Sequence, residues 1–253
     1  MRSVVISSGH GLHVRGASGY LDEVNEARKI GQAATLMYAL WWSSWHHMMF
    51  YRHYAEAQLL LDELATFLAD EKDATFFWKA TEIAFRGALF ALTGKASDGV
   101  RAITSGITSL RSTGATLYEP WHMSHLAMAY AELGQLDEAR HCIEDAMEKV
   151  ERSKEKWFEA EVHRLAGEIS LKLLAPDTEK AEKHFGRALV VARQQQAKAW
   201  ELHAAMSLAR LWRDQGKVQQ ARELLAAVYG WFTEGFDTRD LKEAKALLEQ
   251  LAA

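Results

Sequence analysis

Small residues recurring at a nearly constant interval constrain this chain more than any other feature of its sequence. Ala57, Gly99, Ala139, Ala181 and Ala221 are separated by 42, 40, 42 and 40 residues. An interval of this length holds two helices and their turns, so the period points to stacked helix pairs with a shared core. After Gly134 come Ala139, Ile143 and Ala146; after Gly216, Ala221, Leu225 and Val228; after Gly94, Gly99, Ile103 and Gly106. The small residue admits a neighbouring helix, and the next two positions continue the same face. Upstream of those glycines, Leu126, Ala127 and Tyr130, then Leu208, Ala209 and Trp212, then Gly87 and Phe90 supply the partner helix with a small residue and an aromatic.

The chain has only two prolines, Pro120 and Pro176, and long stretches rich in Ala, Leu, Glu, Lys, Arg and Gln. Such stretches favour helix, and the strand signal is nearly absent. Five helix pairs are expected at about 32–69, 75–113, 119–152, 155–194 and 197–229. A helical fragment at about 20–30 precedes them, so residues 1–31 read as an irregular leader with a partial repeat and residues 32–253 as the repeat domain. Arg52 stands where the first pair should carry its turn glycine, and the fourth pair has an insertion at Pro176.

The last element is read as a cap, because a repeat array leaves the apolar face of its final pair uncovered. Leu241, Ala244, Leu247, Leu248 and Leu251 follow helical spacing on one face of residues 238–252, with Lys242, Glu243 and Glu249 largely on the other. Asp237 or Thr238 is expected to cap this helix, Trp231 and Phe232 to anchor the preceding turn, and Gly235 to permit the reversal.

Small residues at two fixed positions of each unit and an aromatic between them resemble the tetratricopeptide pattern, with helices about a turn longer than its usual 34 residues require. The resemblance implies an all-α fold: a right-handed superhelical array of antiparallel pairs, a TPR-like α-solenoid. A second resemblance lies in FGRALVVARQQQAKAWELHAAMSLARLWRDQGK from Phe185 and VYGWFTEGFDTRDLKEAKALLEQL at 228–251. These segments are similar to the C-terminal repeat region of bacterial multidomain proteins that join an adenylate/guanylate cyclase-type or other signalling domain to a predicted ATPase. That resemblance implies a sensor or interaction tail. It transfers no active-site residue, because this sequence has no GxxxxGK[ST] phosphate loop and no Gly-rich βαβ unit.

Thirty Lys and Arg against 34 Asp and Glu leave a net charge of −4 with no basic tract, which argues against a nucleic-acid partner. The single cysteine, Cys142, excludes an intramolecular disulfide and fits a reducing, cytoplasmic setting. Leu36 to Tyr51 is the most apolar stretch but falls short of the roughly 20 residues a membrane span needs. His46, His47 and His53, and His122 with His125, have spacings that share a helical face, yet neither group forms a complete ligand set, so no metal or other cofactor is implied. No GxSxG turn or comparable nucleophile setting is present, which points away from an enzyme.

Trp41, Trp42 and Trp45 place three indoles within five residues, more than one core stripe needs. Trp41 and Trp45 are expected to face the core. On the inner face of a tetratricopeptide array, the resemblance then places Trp42, His46, Met49 and Phe50 in the first pair and Trp121, Ser124 and Met128 in the third. Glu161, Arg164, Glu168, His203, Arg210 and Arg213 follow in the fourth and fifth. The expected groove is aromatic toward one end and charged toward the other, suited to a peptide, a partner domain or another copy of the chain. Its arginines either bind a carboxylate or phosphate or pair with Glu161, Glu168 and Asp214. The alternative reading is a small-molecule sensor in which the Trp42, Met49 and Trp121 region closes over an apolar effector.

Overall fold

The structure is a computed structural model that describes residues 17–70 and 76–252. The described residues form helices α1 (Ala17–Ile30), α2 (Ala33–His46), α3 (Tyr54–Asp70), α4 (Phe76–Leu92), α5 (Ala96–Ser112) and α6 (Glu119–Glu132). They continue with α7 (Leu136–Ser153), α8 (Glu159–Lys172), α9 (Thr178–Gln194), α10 (Lys198–Asp214), α11 (Val218–Tyr229) and α12 (Arg239–Gln250). A π-helical turn, His47–Tyr51, extends α2, and no strand occurs among these residues. The five expected pairs match α2/α3 through α10/α11. Part of the expected leader lies outside the described residues; the part within them includes α1, which packs on α2. No described helix is long and apolar enough to cross a membrane.

The described residues divide into two compact units, one running up to Cys142 and the other from Ile143 onward. In the first, each helix from α1 to α6 packs on the next, and α4 also meets α6. In the second, α8 packs on α9 and α10, α10 on α9 and α11, and α12 on both α10 and α11.

The turns explain the sequence signature. Gly94, Gly134 and Gly216 adopt φ of +80°, +74° and +77°. At each, the following N–H reaches back to a carbonyl of the last helical turn: Lys95 to Phe90 at 2.9 Å, Gln135 to Tyr130 at 2.9 Å and Lys217 to Trp212 at 2.8 Å. This left-handed closure satisfies carbonyls that would otherwise end unpaired. Arg52 takes the same conformation, φ +53°, at the turn lacking a glycine. At the fourth pair the Pro176 insertion sits in a loop, and Asp177 caps α9 by accepting the Lys180 N–H at 2.9 Å.

Ala57, Ala139, Ala181 and Ala221 have no accessible surface, as their period requires. A close backbone approach joins α4 to α5: a Cβ on Gly106 would lie 2.6 Å from the backbone of Ala84, and one on Gly87 2.6 Å from the Ile103 nitrogen. Backbone cannot retreat as a side-chain tip can. Gly106→Ala should therefore lose about 2 kcal/mol to overpacking, although alanine is ordinarily worth about 1 kcal/mol over glycine inside a helix. Gly186→Ala in α9, where an added Cβ meets nothing within 4 Å, should instead gain up to about 1 kcal/mol. Urea midpoints of the two variants moving in the same direction would contradict the close packing.

Helix α12 buries Leu241, Ala244 and Leu247, and Leu251 just after it is buried too, whereas Leu248 of the expected stripe is half-buried. Two further details differ from expectation. Thr238 occupies the N-cap position, but its hydroxyl donates to the Gly235 carbonyl at 2.7 Å, and no side chain caps the helix. Phe232 is buried whereas Trp231 is half exposed, its ring lying under the Lys198 ammonium at 5.3 Å. Gly235 supplies the reversal with φ +78°.

Candidate functional site

In the first unit, α2 and its π-helical turn carry the densest group of aromatic and imidazole side chains. The Ser43 hydroxyl donates to the Tyr20 carbonyl of α1 at 3.0 Å, and His46 stacks on the Tyr20 ring at 4.1 Å. His46 Nδ1 lies 2.8 Å from the Trp42 carbonyl, so this nitrogen carries the proton that bonds there. Burial, only partly countered by that bond, pushes the imidazole down to about 4, and His46 is neutral at neutral pH.

On α6, the Ser124 hydroxyl donates to the Pro120 carbonyl at 2.6 Å, and Trp121 is fully buried against Phe85 with its indole N–H directed at the Met49 sulfur at 2.9 Å. Of the residues expected on the inner face of this unit, His46, Met49, Trp121 and Ser124 are thus buried. Trp42, Phe50 and Met128 are half-buried and retain accessible surface.

A cavity of about 290 Å³ lies in the same unit, beside Trp41. Trp41, Trp78, Phe85 and Tyr118 contribute to its wall, whereas Trp42, Met49 and Trp121 do not. The sequence reading missed this site. The run Phe76, Phe77 and Trp78 at the start of α4 was its available signal.

In the second unit, a polar cluster joins α8, α10 and α12. Arg164 holds Glu161 through two hydrogen bonds of 2.9 Å and reaches Glu168 at 3.4 Å. The His203 ring lies between Glu161 and Asp240, with Nδ1 3.3 Å from one carboxylate and Nε2 2.9 Å from the other. Ser207 donates to Glu168 at 2.7 Å. Burial alone would lower the His203 pKa, but Asp240 and Glu161 outweigh it and raise it to about 9. Burial alone would raise Glu161, but Arg164 and His203 hold it at about 2. The cluster is an ion-pair clamp with its charges formed at neutral pH.

Arg213 bonds Asp214 at 2.9 Å and Gln250 at 3.0 Å. Arg210 is half-buried and has no acidic partner among the described residues. Of the three expected arginines, two are held by carboxylates. Among the described residues, no group of three or more His, Cys, Asp or Glu side chains is arranged to hold a metal.

A model of the tetratricopeptide repeat matches residues 121–153, which include most of α6 and all of α7. The chain is similar in structure to a Rap protein complexed with competence and sporulation factor, at TM-score 0.71 and 14% identity, covering 91% of this chain and 62% of that one. It is also similar to BtubC from P. vanneervenii, at TM-score 0.56 and 14% identity, covering 94% and 91% of the two chains. The fold is tetratricopeptide-like. The apo quorum sensor NprR from B. thuringiensis shares it at TM-score 0.50 and 15% identity, over 93% of this chain and 79% of NprR. No curated protein matches the chain. Within this tetratricopeptide-like chain, the matched repeat contains Trp121, Ser124 and Met128 from the expected inner face.

Proposed function

We propose that the chain is a non-catalytic interaction module that binds a peptide or partner domain, with Arg210 as an anchor for an acidic group. The observation that carries this reading is the state of the arginines. Arg164 and Arg213 are occupied by carboxylates, whereas Arg210 is half-buried without one among the described residues. A guanidinium in that position gains from a carboxylate or phosphate brought by a partner. In the first unit, the accessible parts of Trp42, Phe50 and Met128 suit apolar side chains, and the buried His46 packs against both Trp42 and Phe50.

A complex of a similarly folded Rap protein with competence and sporulation factor supports the partner-binding reading. The resemblance of residues 228–251 to cyclase- and ATPase-linked repeat tails supports a place in bacterial cytoplasmic signalling, and a cognate signalling domain or a second copy of the chain are partners of the same kind.

Selection from a displayed peptide library should enrich acidic sequences. Arg210→Glu should weaken those peptides by roughly tenfold to a hundredfold, the worth of about 1.5–3 kcal/mol for a hydrogen bond to a charged group. Enrichment of peptides whose affinity is indifferent to Arg210→Glu, measured by calorimetry on a variant with unchanged helicity, would reject the anchor.

A further inference from the structure

The cavity beside Trp41 has a wall unlike an ordinary packing defect. Six of its lining side chains are the aromatic rings of Tyr38, Trp41, Phe77, Trp78, Phe85 and Tyr118, and none of the lining residues is an acid, a lysine or an arginine. The Thr81 hydroxyl is committed to the Phe77 carbonyl at 2.8 Å. His122 is 1% exposed, and burial pushes its imidazole down to about 3, so the ring is uncharged.

Three observations point to an occupant. First, the volume of about 290 Å³ is roughly twice the 150 Å³ of an engineered apolar cavity that admits benzene. That leaves room for fused or linked rings. Second, the wall retains costs that packing alone would remove. Trp41 Nε1 and both ring nitrogens of His122 are buried with no hydrogen-bond partner among the described residues. Tyr118, a bulky residue, sits at φ +62° where glycine is favoured. Unpaired buried polar atoms and left-handed non-glycine residues concentrate where a site is shaped for a ligand. Third, Tyr38 and Leu117 line the cavity yet are 51% and 55% exposed, so apolar surface is held open at its mouth.

We propose that this cavity binds an uncharged aromatic molecule of two or three rings. Aromatic walls offer edge and face contacts to such a ligand, and the lack of formal charge in the wall disfavours an ionised one. The site uses none of the surface residues invoked for partner binding and is independent of that reading.

The test is a titration of the full chain with N-phenyl-naphthylamine, an uncharged fluorophore that brightens in apolar surroundings. Saturable binding of one molecule per chain is expected. Leu117→Arg, which places a charge at the exposed mouth, should weaken binding by roughly tenfold or more. Leu117→Trp, which narrows the mouth without adding charge, should also weaken it. Leu174→Arg, at a 99% exposed leucine in the other unit, should leave it unchanged. Far-ultraviolet circular dichroism of each variant reports whether the helices are intact. Non-saturating binding by the natural chain, or an affinity in both Leu117 variants unchanged from that of the natural chain, would overturn the proposal. Binding of a Trp-bearing peptide to this cavity without binding of the dye would overturn it too, in favour of a side-chain pocket for a protein partner.

Discussion

Deleting residues 233–253 should lower the thermal midpoint by roughly 10 °C or more and make the protein prone to self-association. Three buried leucines, Leu241 and Leu247 of α12 and Leu251 just after it, are lost with it, each worth about 1.5–3 kcal/mol of burial. Freeing the segment returns conformational entropy and offsets much of that sum. A net loss of about 4 kcal/mol corresponds to roughly 8–16 °C for a protein of this size. The deletion also uncovers the apolar side of α11, where Leu225 and Val228 are buried, and leaves a patch that favours association. Calorimetry and light scattering on the truncated chain provide the check. A truncated chain that stays monomeric and equally stable but loses its partner would make the tail the recognition element instead.

His203→Ala should cost about 3 kcal/mol at pH 6, because it leaves Asp240 and the buried Glu161 without their shared partner. The loss has a pH signature. The His203 pKa is raised from 6.5 to about 9, so its contribution is complete below pH 6.5 and disappears as pH rises through 9. Glu161 acts at the other end: its pKa is lowered from 4.5 to about 2, so its contribution is present above pH 4.5 and fades as pH falls toward 2. Arg164 keeps its charge throughout and continues to face Glu161. The gap in urea midpoint between the natural chain and His203→Ala should therefore be widest between pH 4.5 and 6.5 and close toward pH 10. A gap of constant size from pH 5 to pH 10 would assign the loss to packing rather than to the charged imidazole.

The helix pairs were legible because close approach demands small residues, and the positions at 57, 99, 139, 181 and 221 met that demand at one period. The cap was legible for a related reason: a four-leucine stripe with charges opposite it needs a surface to cover. The inner-face residues were harder to read. Helix α6 buries eleven of its 14 residues, so its apolar pattern does not single out one face, and Trp121 lies deep in the unit rather than at its surface. The π-helical turn adds a residue to the helical count within His47–Tyr51 and departs from the register on which Met49 was placed. The Asp240 partner of His203 lies 37 residues away on another helix, a pairing that no local spacing reveals.

The order of packing also bears on how the chain is made. Within each unit, the contacts of a helix go to elements one or two steps away along the sequence. Loop closure is then short for nearly every contact, which lowers the entropic barrier to folding. As synthesis proceeds from the N-terminus, α4 can meet α5 and be joined by α6 before the second unit exists, so that cooperative packing begins on a nascent chain. Helix α12 is made after α11, and until it arrives the apolar side of α11 is a surface in need of protection from other unfinished chains.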